Sequence, residues 1–251
     1  MASSSVWRVE SGQVKPRKTT LETLLSTYGV HDPHQRRYVF SLMAGQRPPA
    51  WYDDPDVPLA LATSWDFEQR SDEIRTYHVK YIPPLLQTEE YAEALLARMS
   101  RAHLPLRNAA AAALSNRQAL LDRPDAPLYW ALIDESVLLR SIGGMHVQLD
   151  QLDTLIQHAK RPNVIVQVLS LSDTPFVPDT ESFTLCRFAD RTHPDVAAAH
   201  VFATDHLTPA QEMAEPYLIE FVLAASGATE PGRDTLDVLH RHRTTLAKTL
   251  D

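Results

Sequence analysis

The adjacent acids Asp134 and Glu135 directly follow the apolar run Leu128–Ile133 (LYWALI). Two carboxylates at a strand end can act as acid and base when their surroundings separate their pKa values. The same pair also reads as a helix start, with the acids capping free backbone N–H groups. His200, followed by Asp205 and His206, places an imidazole near a carboxylate, the pairing of a general base. For an enzyme, Asp134, Glu135 and His200 are therefore the candidate catalytic residues; for a binding protein they are ordinary polar surface. Gln87 and Gln167 are amides inside apolar stretches, suited to structural hydrogen bonds or to ligand contacts. Tyr81 and Trp130 join them as candidate ligand-binding residues. With Tyr77, Tyr129, Phe176 and Phe183 they form an aromatic set that either lines a cavity at strand ends or fills a core.

Other chemistries find little support. The sequence has no glycine-rich phosphate loop, nucleophile elbow, HExxH or CxxC, so neither cofactor nor metal is expected. His146 and Asp150, one helical turn apart, would supply only an edge of a metal site. The single cysteine, Cys186, cannot form an internal disulfide and reads as a small buried hydrophobe within SFTLCRF.

The elements that must hold these residues follow from pattern and punctuation. Ser3–Glu10, Thr20–Tyr28 and Asp32–Ala44 read as three short helices, closed by the proline-rich stretch Gln46–Pro58. This divides the chain into residues 1–50 and a larger domain, 59–251. Leu59–Arg75 reads as helix, Thr76–Ile82 as strand, Thr88 as the N-cap of a helix, and Arg107–Leu121, with its alanine run, as another. Leu128–Ile133, Met145–Lys160 and Val164–Leu171 give strand, helix, strand, which implies a right-handed parallel crossover. Ser182–Phe188 is expected to pair beside Val164–Leu171 as a hairpin, making the sheet mixed. Val196–Phe202 reads as a strand and Thr208–Gln211 as a helix start; Tyr217–Val222 fits strand or helix, with Pro216 arguing against one continuous helix. Arg233–Leu250 reads as a closing helix. The fold class expected is α+β: a small N-terminal helical remnant followed by a mixed-sheet α/β-type domain with flanking helices.

Charge separates the two parts. Residues 1–50 carry seven Lys or Arg against three acids, so with an overall net charge of −8 the remainder bears −12. Such a surface repels phosphate, and only the N-terminal part favours nucleic acid. The apolar runs are too short to span a bilayer and no signal segment is evident, so a cytoplasmic protein without membrane contact is expected.

Two segments carry a family resemblance. Residues 3–50, including SSSVWRVESG and TTLETLLSTYGV, resemble the latter part of an XRE-type (Cro/repressor-like) helix-turn-helix. From Glu73 onward, EIRTYHVKYIPPLLQTEEYAEALL, NRQALLDR, YWALIDESVLLRSIGG, RPNVIVQVLSL and FTLCRF resemble, in order and spacing, the domain of unknown function that follows such units in actinobacterial regulators. The resemblance implies a regulator that binds promoter DNA through the helix-turn-helix and is controlled through its C-terminal domain, often with a small partner protein encoded nearby. The recognition-like helix carries Ser3, Ser4, Ser5 and Arg8 at the positions of DNA contacts, but Met1 falls just before it. The bracing helix that a groove-reading unit needs is thus absent from the sequence given. Either translation starts further upstream or DNA binding has been lost, and Trp7 in that helix reads more readily as core or interface than as a phosphate contact. The chain also departs from the pattern at Pro84, where a glycine is expected, and in the glycine-free Ser172–Ser182; the lengthened stretch between Ala189 and Pro216 suits a pocket lid or an ornamental loop.

The leading expectation is a regulator-like protein whose C-terminal domain binds a small molecule or a small partner protein, with DNA a partner only in a longer form. The alternative is a cofactor-independent, cyclase-like biosynthetic enzyme that shapes an apolar pocket around its substrate.

Overall fold

The computed structural model describes residues 3–10, 14–31, 36, 39, 40, 43, 50–54, 57–98, 104–189, 194–201, 204–208 and 211–249. They fall into two compact units, one within residues 1–53 and one within 54–189 and 194–251.

The first unit contains α1 (Ser3–Glu10) and α2 (Lys18–Thr27), the latter beginning two residues before the sequence suggests. Leu21, Leu24 and Leu25 of α2, at helical spacing, are buried. Trp7 on α1 is exposed and fills no core. The expected helix Asp32–Ala44 lies largely outside the described residues.

The second unit has an α+β architecture, a mixed sheet with helices on both faces. It opens with α3 (Leu59–Arg70), shorter than expected, because β1 begins at Glu73 and ends at His78. The charged Glu73 and Arg75 suggest a continuing helix, but they share one face of the strand, where Arg75 Nε donates to Glu73 Oε1 at 2.6 Å and Arg187 Nη1 to Glu73 Oε2 at 2.8 Å. Ile74, Thr76 and His78 alternate onto the other face and are buried.

A 3₁₀ turn at Pro84–Leu86 leads into α4 (Glu89–Ala97), whose cap Thr88 accepts the Tyr91 N–H at 3.1 Å as expected. Proline fits at residue 84 because it opens that turn, where its fixed φ suits the backbone and its missing N–H is not needed. Amides clamp the turn: Gln118 Nε2 donates to the Gln87 carbonyl at 2.7 Å, and Gln151 Nε2 to the Leu86 carbonyl at 2.8 Å. The chain continues through α5 (Leu104–Gln118), β2 (Leu128–Asp134), the short α6 (Glu135–Leu138), α7 (Met145–His158), β3 (Val164–Leu169), β4 (Phe183–Arg187), β5 (Val196–Val201), β6 (Thr204–Thr208), α8 (Gln211–Ser226) and α9 (Arg233–Ala247).

The strand order is β3-β2-β1-β4-β5-β6. β1, β2 and β3 run parallel, while β4, β5 and β6 are antiparallel to their neighbours. The expected hairpin of β3 with β4 does not form. A link of residues 170–182 is far longer than a tight hairpin turn, and it delivers β4 to the free side of β1, where Thr184 pairs with Thr76 and Phe183 with Tyr77. The outer edge of β3 is covered instead by Thr229, whose N–H donates to the Val168 carbonyl at 3.0 Å and whose hydroxyl accepts the Val168 N–H at 2.9 Å. The stretch after Ala189 adds β5 and β6 to the sheet, so it is neither a lid nor an irregular loop over its described length.

One face of the sheet, with Ile74, Tyr129, Ala131, Ile133, Val164, Val166 and Val168, packs under Leu120 and Leu121, under Leu152, Leu155 and Ile156 of α7, and under Leu239 of α9. The other face, with Tyr77, Leu132, Leu169 and Phe183, packs under Phe221, Ala224 and Ala225 of α8. α8 continues through Pro216, contrary to expectation. Proline forfeits one hydrogen bond in the second turn, and burial of Phe221 and Ala224 holds the rest of the helix on the sheet. No helix among the described residues is long and apolar enough to cross a membrane.

Candidate functional site

The carboxyl ends of β1, β2 and β3 lie at one end of the sheet, the usual place for ligands in parallel arrangements. The candidate residues from the sequence divide there into three groups with different roles.

Asp134 ends β2 and caps α6: its Oδ1 accepts the Ser136 N–H at 2.9 Å and the Ser136 hydroxyl. Glu135, the next residue, is engaged on both oxygens. Oε2 accepts the Leu171 N–H at 2.9 Å and the Ser170 hydroxyl at 3.4 Å, while Oε1 meets His242 Nε2 at 2.9 Å. Burial by itself raises the Glu135 pKa, but the Leu171 N–H, His242 and Ser170 together outweigh it and hold the carboxyl below its ordinary value. His242, on α9, was not found from sequence; its only signal there is a position among other polar residues of a polar helix.

His200 lies on β5, three strands from β2, at a spacing of about 4.8 Å per strand. Its Nε2 is 3.0 Å from the Thr184 hydroxyl, which is 3.1 Å from the Thr76 hydroxyl, and Thr76 Oγ1 donates to the Phe183 carbonyl at 2.9 Å. The His200 ring stacks near that of buried His78, centroids 5.4 Å apart, and Tyr81 lies against His78 at 5.3 Å. The structure therefore does not assemble Asp134, Glu135 and His200 into one catalytic group.

The amides are structural. Gln87 Nε2 donates to the Ile82 carbonyl at 2.6 Å. Gln167 spends its amide protons on the Ala225 and Thr229 carbonyls at 3.2 and 2.7 Å, and its Oε1 accepts the Trp130 indole N–H at 2.7 Å. Trp130 in turn lies under the Arg75 guanidinium, 5.1 Å from the ring centroid. Gln167 and Trp130 tie β3 and β2 to α8, while Gln87 holds the turn after β1. His146 and Asp150 are exposed on α7, and no group of three or more His, Cys, Asp or Glu side chains is placed to hold a metal among the described residues. On α1, Ser5 and Arg8 are exposed.

Tyr77, in the sequence only one member of an aromatic set, is set apart by its position in the sheet. It is 1% exposed, yet its hydroxyl makes no hydrogen bond among the described residues. Parallel pairing sets Tyr77 beside Leu132, so Asp134 follows two residues on along the same face. Glu220 reaches the same end of the sheet from α8. Burial, and then the charges of Asp134 and Glu220, push the Tyr77 pKa well above the usual tyrosine value, which keeps the phenol protonated. The Phe183 ring lies 6.0 Å from Tyr77 and 5.0 Å from Tyr217.

Residues 172–182 strap this end of the sheet. The Asp179 N–H donates to Glu220 Oε2 at 3.1 Å and the Val79 N–H to Ser182 Oγ at 3.1 Å, while Phe176 packs on the aromatic cluster. At the end of α8, Gly227 admits the strap closely: a Cβ there would stand 2.6 Å from Pro175 Cδ. Tyr77, the aromatic rings and Glu220 thus lie at the end of the sheet that the strap crosses.

No curated protein and no solved structure matches the chain. One family model does, the domain of unknown function DUF5753, over residues 61–241, which takes in β1 to β6 and the Tyr77 site. The chain belongs to the DUF5753 family.

Proposed function

We propose that the DUF5753 domain is the sensory part of a regulator-type protein and binds a small molecule at the strapped end of its sheet. The observation that carries this reading is the meeting of Tyr77, whose hydroxyl makes no hydrogen bond among the described residues, with the Phe183 ring and Phe176 of the strap at the carboxyl ends of the parallel strands. Native mass spectrometry of the full chain purified from its own cells tests the reading. A bound small molecule is expected in the wild type and is lost in Tyr77→Trp, which enlarges the side chain and removes the phenol; a ligand-free wild type in every preparation overturns it.

A second reading, a docking surface for a small partner protein, is favoured by the outer face of α8, where Ile219, Val222 and Leu223 are 51%, 49% and 44% exposed at helical spacing. Co-purification of a small protein that is lost in Val222→Glu supports it, and retention of that protein by the variant counts against it. DNA binding belongs to this proposal only where the helix-turn-helix-like residues of α1 stand with a bracing helix. A gel shift on the neighbouring promoter measures that part.

A further inference from the structure

The outer face of α8 continues onto the strap, and the charge around it names the class of partner that the docking reading leaves open. Ile219, Val222 and Leu223 are half exposed and follow one another at i, i+3 and i+4 along the helix. The strap, residues 172–182, runs beside them in the opposite direction: Pro175 stands against Gly227, and the Asp179 N–H donates to Glu220 Oε2 at 3.1 Å. Val177 falls midway between these two anchors, level with the turn that carries Leu223. It is 64% exposed, while Phe176 before it packs on the aromatic cluster and Pro178 after it is buried. Four large apolar side chains thus share one outer surface.

Acids surround that surface. α8 carries Glu212, Glu215 and Glu220, the strap carries Asp173, Asp179 and Glu181, and neither segment contains Lys or Arg. Lys80 pairs with Glu181, but Asp173, Asp179, Glu215 and Glu220 make no ion pair among the described residues. Glu215 lies one turn before Ile219 on the same exposed face, and Glu220 with Asp179 lines the side along which the strap runs. Arg75 reaches α8 from β1 on its inner face, 5.7 Å from the centroid of the buried Phe221 ring. A second copy set face to face would bring acid against acid, and anionic lipid or nucleic acid meets the same repulsion.

Resting on the docking reading above, we propose that this surface receives an amphipathic helix of a basic partner protein. The apolar stripe of that helix lies on Ile219, Val222, Leu223 and Val177, and Lys or Arg on its flanks meets Glu215, Glu220 and Asp179. Apolar contact holds the helix, while the charges set its orientation and turn away helices with acidic flanks.

Three synthetic helical peptides with one shared leucine stripe, and with flanks of lysine, glutamine or glutamate, test the proposal by fluorescence anisotropy on the full chain. The lysine-flanked peptide binds about tenfold or more tighter than the glutamine-flanked one, the sum of several exposed charge pairs, and its affinity falls with added salt. The glutamate-flanked peptide does not bind. Val222→Glu abolishes binding although it adds a negative charge, which separates docking on the stripe from diffuse attraction to an acidic surface. Glu215→Lys, at an exposed position, weakens the lysine-flanked peptide and strengthens the glutamate-flanked one. Equal binding by all three peptides, or by none, overturns the proposal. So does lysine-flanked binding that survives Val222→Glu, or a dimer of the chain alone that Val222→Glu dissociates, since a second copy then occupies the surface. The comparison of peptides on the wild type needs no variant to fold. A co-purified partner that is lost in Val222→Glu but is indifferent to salt and to Glu215→Lys would overturn the basic helix while leaving the docking reading intact; a partner retained by Val222→Glu would remove both.

Discussion

Arg117 of α5 grips Glu68 of α3 at two points, Nη2 to Oε1 at 2.6 Å and Nε to Oε2 at 3.0 Å, with the two side chains only 13% and 4% exposed. The guanidinium also lies over the ring of Trp65, 5.6 Å from its centroid. The pair fixes α3 to the helical layer. A buried ion pair adds little over a well-packed apolar pair, but breaking it leaves one charge stranded. Glu68→Ala is therefore expected to cost about 3–5 kcal/mol in urea unfolding, whereas Glu68→Met with Arg117→Leu costs much less. Equal losses in the single and double variants would refute this account.

The contacts of Glu135 make stability depend on pH. Its folded-state pKa lies below the unfolded value, so its contribution is present above about pH 4.3 and is lost as pH falls through the lower, folded value. Glu135→Gln is expected to be less stable than the wild type at neutral pH and to converge with it in acid. Parallel thermal melts across that range give the answer, and a constant gap at every pH would assign the variant's loss to packing alone.

Gly227 sets how closely the strap approaches α8. Gly227→Ala forces its new methyl into the Pro175 ring, so the loop must move. The expected cost is about 1–3 kcal/mol, as for other overpacked sites. Limited proteolysis locates it: cleavage within residues 172–182 is faster in the variant, while cleavage in α7 is unchanged. A strap as resistant as in the wild type would show that the contact is soft.

Much of the architecture was legible where a local signal agrees with the global packing. Thr88 as cap, LYWALI as buried strand, the amphipathic Met145–Lys160 and the β-branched Val164–Leu171 all appear where their patterns place them, the last two ending two residues early, at His158 and Leu169. Misreadings arose where tertiary contacts overrule local preference. Glu73 and Arg75 form strand because Arg187, far along the chain, supplies their partner. Pro216 stays within a helix because that helix is pressed on the sheet. β4 joins β1 because sheet neighbours are not written in local sequence. The site was half visible. Asp134 stood out because it closes an apolar run, but Tyr77, one aromatic among several, becomes distinctive only when strand pairing aligns it with Asp134 and when its hydroxyl is seen to lack a partner. His200 and Glu135 were plausible by residue type and are separated by strand order.

The placement of β4 against β1 has a cost during synthesis. Thr76 must wait for Thr184, 108 residues later, before the two strands can bond. Until then a nascent chain carries the central strand, with Ile74 and Tyr77, as an open edge able to pair with any other extended segment. Domain closure is therefore late and non-local, a topology associated with slow folding, and fragments ending before Phe183 are aggregation-prone however well their helices form.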